Sequence, residues 1–147
     1  MDVRISFSML LPAVALIVWS MVMLIWMAVT RFSAFKTANI DIAKAPPGGR
    51  GRDLDGVLPK EVQWPSHNYN HLMEQPTIFY PTVIILAVTG QANPVNLGLA
   101  WLYVGIRVAH SIWQAKVNRV PVRFRLFALS SIVLLILALR ALFALLP

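Results

Sequence analysis

The chain contains no cysteine. That excludes disulfides, thiolate metal ligands and a cysteine nucleophile. Charge is also scarce: 13% of residues are charged, against about 25% in a soluble domain. Acidic residues number six against thirteen basic ones, and there are three histidines. So few histidines exclude the repeated histidine boxes of a membrane di-iron enzyme. No internal repeat is present. Hydrophobic residues fill the gap, at 58% of 147 positions with a mean hydropathy of +0.67. This length holds one domain.

The apolar residues fall into membrane-length runs, for which a helix needs ~20 residues. Four spans are expected, at about residues 5–30, 68–89, 97–115 and 126–146. The first lies between Arg4 and Arg31 with no charge between them, and is too long for a signal-peptide core. A polar loop, residues 32–66, follows it. Its run APPGGRGRDLDG consists largely of turn formers. GGRGR lacks the ending of a phosphate loop, and Asp53-Leu54-Asp55-Gly56 is too short for a calcium loop. Pro76 and Pro81 should bend or loosen the second span.

Net charge is +7. In a soluble chain that would raise the question of nucleic acid. Here the basic residues flank apolar spans, so a bilayer is the expected partner and nucleic acid is not. Loops one and three are basic, and loop two has no charge. Basic short loops favour the cytoplasm. The expected topology is multi-pass, with both termini outside and loops one and three cytoplasmic; in a bacterium this would be the plasma (inner) membrane.

Glu74 is the one carboxylate within these spans. An ionisable group at membrane depth marks a functional site when a partner can be named. His67, His71 and Glu74 share one helical face, with Asn70 beside them. Arg107, His110 and Gln114 share a face of the third span. From the helical rise, Glu74 and His110 lie about 9 Å in from the same end, with Arg107 about 5 Å deeper. Arg119, Arg123 and Arg125 sit at the mouth. One reading is a structural Glu74–Arg107 ion pair. Another is a site for a small anionic or zwitterionic ligand, since arginine binds carboxylates and phosphates bidentately. A third is metal at His67-x-x-x-His71-x-x-Glu74, which the nearby arginines oppose; no metal is expected. Arg140 reads as a snorkelling or subunit-contact residue.

NYNHLMEQPTIFYP followed by WLYVGIRVAHSIWQAKVNRVPVR resembles the MAPEG family, membrane-associated proteins in eicosanoid and glutathione metabolism. Arg-x-x-His followed by a basic residue and Pro-x-Arg is similar to its microsomal prostaglandin E synthase and glutathione transferase branch. The resemblance implies an all-α, four-transmembrane-helix bundle forming a homotrimer, with glutathione bound between subunits near the cytoplasmic side. It implies that Glu74 holds the ligand's amino group, that His110 contacts the ligand, and that Arg107 is a structural or site residue. Arg123 would lie beside the sulfur as the catalytic group. Asn70, His71, Gln114 and Arg119 complete the expected ligand-binding set. Departures are clear: Asn70-His71 replaces an Arg-Asn pair, Gln114 a tyrosine, Phe124 a serine and Phe127 a tyrosine. The expected function is binding of glutathione or a similar thiol, with its thiolate presented to a hydrophobic electrophile or peroxide in a transferase- or peroxidase-like reaction. A non-enzymatic lipid-binding or scaffold trimer is the alternative. A small proton-coupled transporter using Glu74 is a third.

Overall fold

The computed structural model describes residues 5–54 and 56–146. Arg4, the expected flank of the first span, and Asp55 of the loop fragment lie outside them. The described residues form five α-helices: α1 (Phe7–Thr37), α2 (Lys60–Leu72), α3 (Pro76–Val88), α4 (Pro94–Lys116) and α5 (Val120–Phe143). Two short 3-10 turns, Ile42–Lys44 and Gly51–Leu54, lie in the first connection.

α1 runs past the expected end of its span. At 31 residues it is about 46 Å long, well beyond the ~30 Å hydrocarbon core. Nothing after Arg31 breaks it until Asn39, which takes a φ of 52°. The polar connection is correspondingly shorter than expected, residues 38–59. Its aspartates act as local caps: Asp41 accepts from the Ala43 amide at 3.0 Å and Asp53 from the Arg50 amide at 2.7 Å. Gly48 and Gly56 adopt φ of 82° and 88°, as turn glycines do.

The second expected span is two helices. A proline ring clashes with the carbonyl four residues earlier. For Pro76 that residue is Leu72, and α2 ends there. Pro76 then opens α3, where its missing N–H is harmless. Pro81 stays inside α3 without breaking it. Each half has 13 residues, about 20 Å, too short to cross a bilayer alone. Among the described residues three helices are long and apolar enough to cross singly: α1, α4 and α5, with mean hydropathies of 2.3, 1.2 and 2.5 over their best windows.

The helices form four antiparallel rods, α2 and α3 together making the second. The Ser6 amide donates to the Ala87 carbonyl at 3.2 Å, which sets the start of α1 against the end of α3. At the other end Arg31 reaches Ser66 on α2. α4 packs against α1, α2 and α5, while α3 packs against α1 and α5. Phe79 and Tyr103 stack in the core with centroids 4.4 Å apart. Outward faces of α1 and α5 are apolar: Leu11, Val18, Ile25, Ile132, Leu135 and Leu139 are all exposed. Apolar surface on this scale belongs against lipid or another subunit.

Gln75, at the break, joins three rods. Its Nε2 donates to Ser131 Oγ at 2.6 Å. Its Oε1 accepts from Tyr103 Oη and Ser130 Oγ, each at 3.4 Å. Hydrogen bonds between membrane helices average about 0.6 kcal/mol. Gln75→Leu should therefore lower stability by about 1–2 kcal/mol, measured as a fall in the thermal midpoint in a fixed detergent. An unchanged midpoint would mean that these bonds carry no stability.

Candidate functional site

The break at Pro76 places Glu74 in the turn between α2 and α3, outside any continuous helix. Its side chain is 70% exposed. Oε2 lies 2.9 Å from His71 Nδ1. On the other side of that imidazole, Arg107 Nη1 lies 3.4 Å from His71 Nε2, and Nη2 donates to the His71 carbonyl at 3.1 Å. Guanidinium only donates. His71 Nε2 must then accept, so Nδ1 carries the hydrogen and donates it to Glu74. Arg107 thus fixes the imidazole tautomer, and the imidazole holds the carboxylate. Glu74 and Arg107 do not pair directly; His71 stands between them. The second oxygen of Glu74 has no hydrogen-bond partner among the described residues.

Arg107 is fully buried. It belongs to the inward face of α4 with Tyr103, His110, Ser111 and Gln114. His110 is also buried, and its ring centroid lies 5.0 Å from that of His71. Neither His110 nitrogen has a protein partner among the described residues. Buried polar atoms in native proteins are normally satisfied by protein, water or ligand. Gln114, one turn beyond His110, is buried with its Oε1 likewise unpartnered among the described residues.

Arg123 comes from the first turn of α5. A tight connection aims it. Asn118 adopts a φ of 52°, which asparagine tolerates better than most residues. Its amide donates to the Trp113 carbonyl at 2.8 Å. Its Oδ1 accepts from Arg123 Nη1 at 2.7 Å. His71, His110 and Arg123 then line one pocket of about 210 Å³, closed by Val120, Phe124 and Phe127. Phe127 packs against His71 at a centroid distance of 5.3 Å. The pocket has a cationic and imidazole wall and an apolar wall.

Not every expected residue meets there. Arg119 caps α5 with its side chain exposed, and its carbonyl accepts from Trp113 Nε1. Asn70 lines a different pocket, of about 350 Å³, with Arg31, Arg50, Arg52, Ser66 and His67. The two pockets share no lining residue. Arg31 is positioned there by Ser66 Oγ at 2.7 Å, Gln63 Oε1 at 3.3 Å and the Gly51 carbonyl at 3.1 Å. A Cβ on Gly51 would come within 2.7 Å of the guanidinium, so this close approach depends on glycine.

Sequence reasoning missed Arg31, Arg50, Arg52 and Asn118. Arg31 is the first charge after a long apolar run, which reads as a membrane flank. Arg50 and Arg52 sit in a turn-rich segment without a motif. For Asn118 the available signal was weak: a left-handed-tolerant residue just after the last turn of a helix. No group of three or more potential metal ligands occurs among the described residues.

These features define an integral membrane protein: a helical bundle with an apolar exterior and a polar recess toward one end. A sequence model of the MAPEG family matches residues 9–143. The chain belongs to the MAPEG family. No curated protein and no solved structure matches it.

Proposed function

We propose that this protein binds glutathione, or a thiol of similar charge, and holds its sulfur at Arg123 for attack on a hydrophobic electrophile or peroxide. The observation that carries this is the pocket of His71, His110 and Arg123 with Glu74 tethered to its wall. The donor set fits such a ligand. Glu74 offers a free carboxylate oxygen for an ammonium group. Arg123 offers a cation for a thiolate. Arg31, Arg50 and Arg52 offer cations for carboxylates. Val120, Phe124 and Phe127 give the electrophile an apolar wall. On this reading the chain would belong with the prostaglandin E synthase and glutathione transferase branch of its family.

Size supports a composite site. Small-molecule pockets typically occupy about 300–1,000 Å³. A pocket of about 210 Å³ accommodates only part of a tripeptide. The second pocket, holding Asn70 and the three arginines, lies apart from it in one chain. One ligand touching both sets would lie between copies, as in a homotrimer. The α2–α3 rod then completes a fourth crossing, with its break satisfied inside the protein. The basic first and third connections would face the cytoplasm, with both termini outside.

A non-enzymatic, lipid-binding or scaffold role is the second reading. One feature favours it: Phe124 and Phe127 leave the Arg123 pocket without a hydroxyl among its lining side chains.

Calorimetry on the purified protein tests the binding step. Wild type should bind glutathione. Glu74→Gln removes the charge that an ammonium group needs and should weaken binding about tenfold, equivalent to about 1.4 kcal/mol. Absence of glutathione binding by wild type, or equal affinity of Glu74→Gln, would overturn the reading.

A further inference from the structure

Arg140 lies at the end of the bundle remote from the candidate site. It occupies the last turn of α5 and reaches across to α4, where its Nε donates to Asn96 Oδ1. Asn96 is buried and held on two sides. Its backbone amide donates to the Asn93 side chain at 3.0 Å, and its Nδ2 donates to the Gln91 carbonyl at 2.7 Å. The guanidinium is thereby anchored through one nitrogen by a rigid cap. Among the described residues its two terminal nitrogens have no partner and form a fork, the geometry that matches oxyanions.

Beside it is a recess of about 240 Å³ lined by Gln91, Asn96, Arg140, Phe143 and Ala144. Asn96 is about 21 Å along α4 from His110, so this recess is separate from the thiol pocket. No carboxylate among the described residues lies near it. The described acids are Asp41, Asp53, Glu61 and Glu74, all before Pro76. Glu74, the nearest in sequence, is separated by the whole of α3, about 20 Å. The N-terminus of α4 adds its dipole to the field here. Phe143 is 65% exposed and presents a ring beside the charge. Cation, helix dipole and apolar rim therefore coincide at one end of the membrane-spanning helices, where lipid phosphates lie.

We propose that the Arg140–Asn96–Gln91 recess binds a phosphate group, carried by a phospholipid whose glycerol and upper acyl chain lie along Phe143. Attraction of Arg140 to the C-terminal end of its own helix is the purely structural alternative. That role would need no turn toward Asn96 and would not distinguish lipids.

Native mass spectrometry of the delipidated protein provides the test. Short-chain phosphatidylglycerol should be retained at least tenfold better than the matching diacylglycerol, which lacks the phosphate. Arg140→Gln should remove that preference, Arg140→Lys should reduce it several-fold, and Lys36→Gln at the opposite end should leave it intact. Competition with inorganic phosphate distinguishes the source. Displacement supports the phosphate site and assigns it to a free phosphate; persistence supports it and assigns it to the lipid. Equal retention of diacylglycerol, or an Arg140→Gln protein with unchanged preference, would overturn the proposal. If Arg140→Gln does not fold, the Arg140→Lys preference decides, and a value equal to wild type counts against a bidentate phosphate site.

Discussion

Arg107→Ala is expected to destabilise the bundle by about 3–5 kcal/mol. The magnitude follows from two effects. Truncating a large, fully buried side chain leaves a cavity, which costs about 2–5 kcal/mol. The His71 carbonyl and ring also lose a charged donor, and such bonds contribute about 1.5–3 kcal/mol. The effects overlap, so their sum is an upper bound. Arg107→Met separates packing from chemistry. An apolar residue of similar volume avoids the cavity but still leaves the His71 carbonyl and ring without their donor, at a cost of about 1–3 kcal/mol. The Met variant should therefore lose less of the thermal midpoint than Arg107→Ala, yet free the His71 tautomer and loosen its hold on Glu74. Its glutathione affinity should fall about tenfold, a difference of about 1.4 kcal/mol. Denaturation in a fixed detergent and calorimetry together check both. An Arg107→Ala protein as stable as wild type would show that the α2–α4 contact does not depend on this residue.

Arg123→Gln is expected to lower kcat/KM for conjugation of glutathione with a generic aryl halide about 100-fold. A free thiol has a pKa of ~8.5, and only its thiolate attacks. Lowering that value by two units requires about 2.7 kcal/mol of preferential thiolate stabilisation. A guanidinium a few ångströms away in a partly dry pocket can supply much of it. The S–H proton passes to solvent before attack; a lone pair of the thiolate then forms the new C–S bond, and halide leaves with the bonding pair. On the proposed reading Arg123 would stabilise charge on sulfur without itself transferring a proton. Asn118 holds one Nη of this arginine, leaving its other donors for the ligand. The apparent pKa of the bound thiol, read from thiolate absorbance against pH, should rise toward ~8.5 in the variant. Activity and thiol titration unchanged by the substitution would exclude Arg123 from the chemistry. A wild type that binds without conjugating would favour the non-enzymatic reading.

Much of the architecture was legible before any coordinates. Long apolar runs with basic flanks placed α1, α4 and α5. Helical spacing put Arg107, His110 and Gln114 on one inward face of α4, where they are found. The same spacing was less reliable for the second rod. It assumed a continuous helix through Glu74, whereas Pro76 ends α2 at Leu72 and turns Glu74 outward. The His71–Glu74 contact survives because the residues are only three apart and the turn keeps them close.

What spacing could not supply was pairing between elements. Arg31 and Ser66 are 35 positions apart, and Gln75 is 28 to 56 positions from its hydroxyl partners. Such contacts depend on how the rods pack, and periodicity carries no information on that. Hence the Glu74–Arg107 ion pair, one of the readings the sequence offers, is a relay through His71 instead, and Asn70 and Arg123 line separate pockets.

By itself the sequence determined that this is a membrane-spanning helical protein without its own thiol, with one carboxylate near the spans and a surplus of arginine. Those properties are local or compositional: transfer of side chains to lipid, proline sterics and helical period act within each segment. Only the tertiary structure decided which polar groups meet. A buried guanidinium must find acceptors, and the packing of α4 against α2 made them the carbonyl and ring of His71.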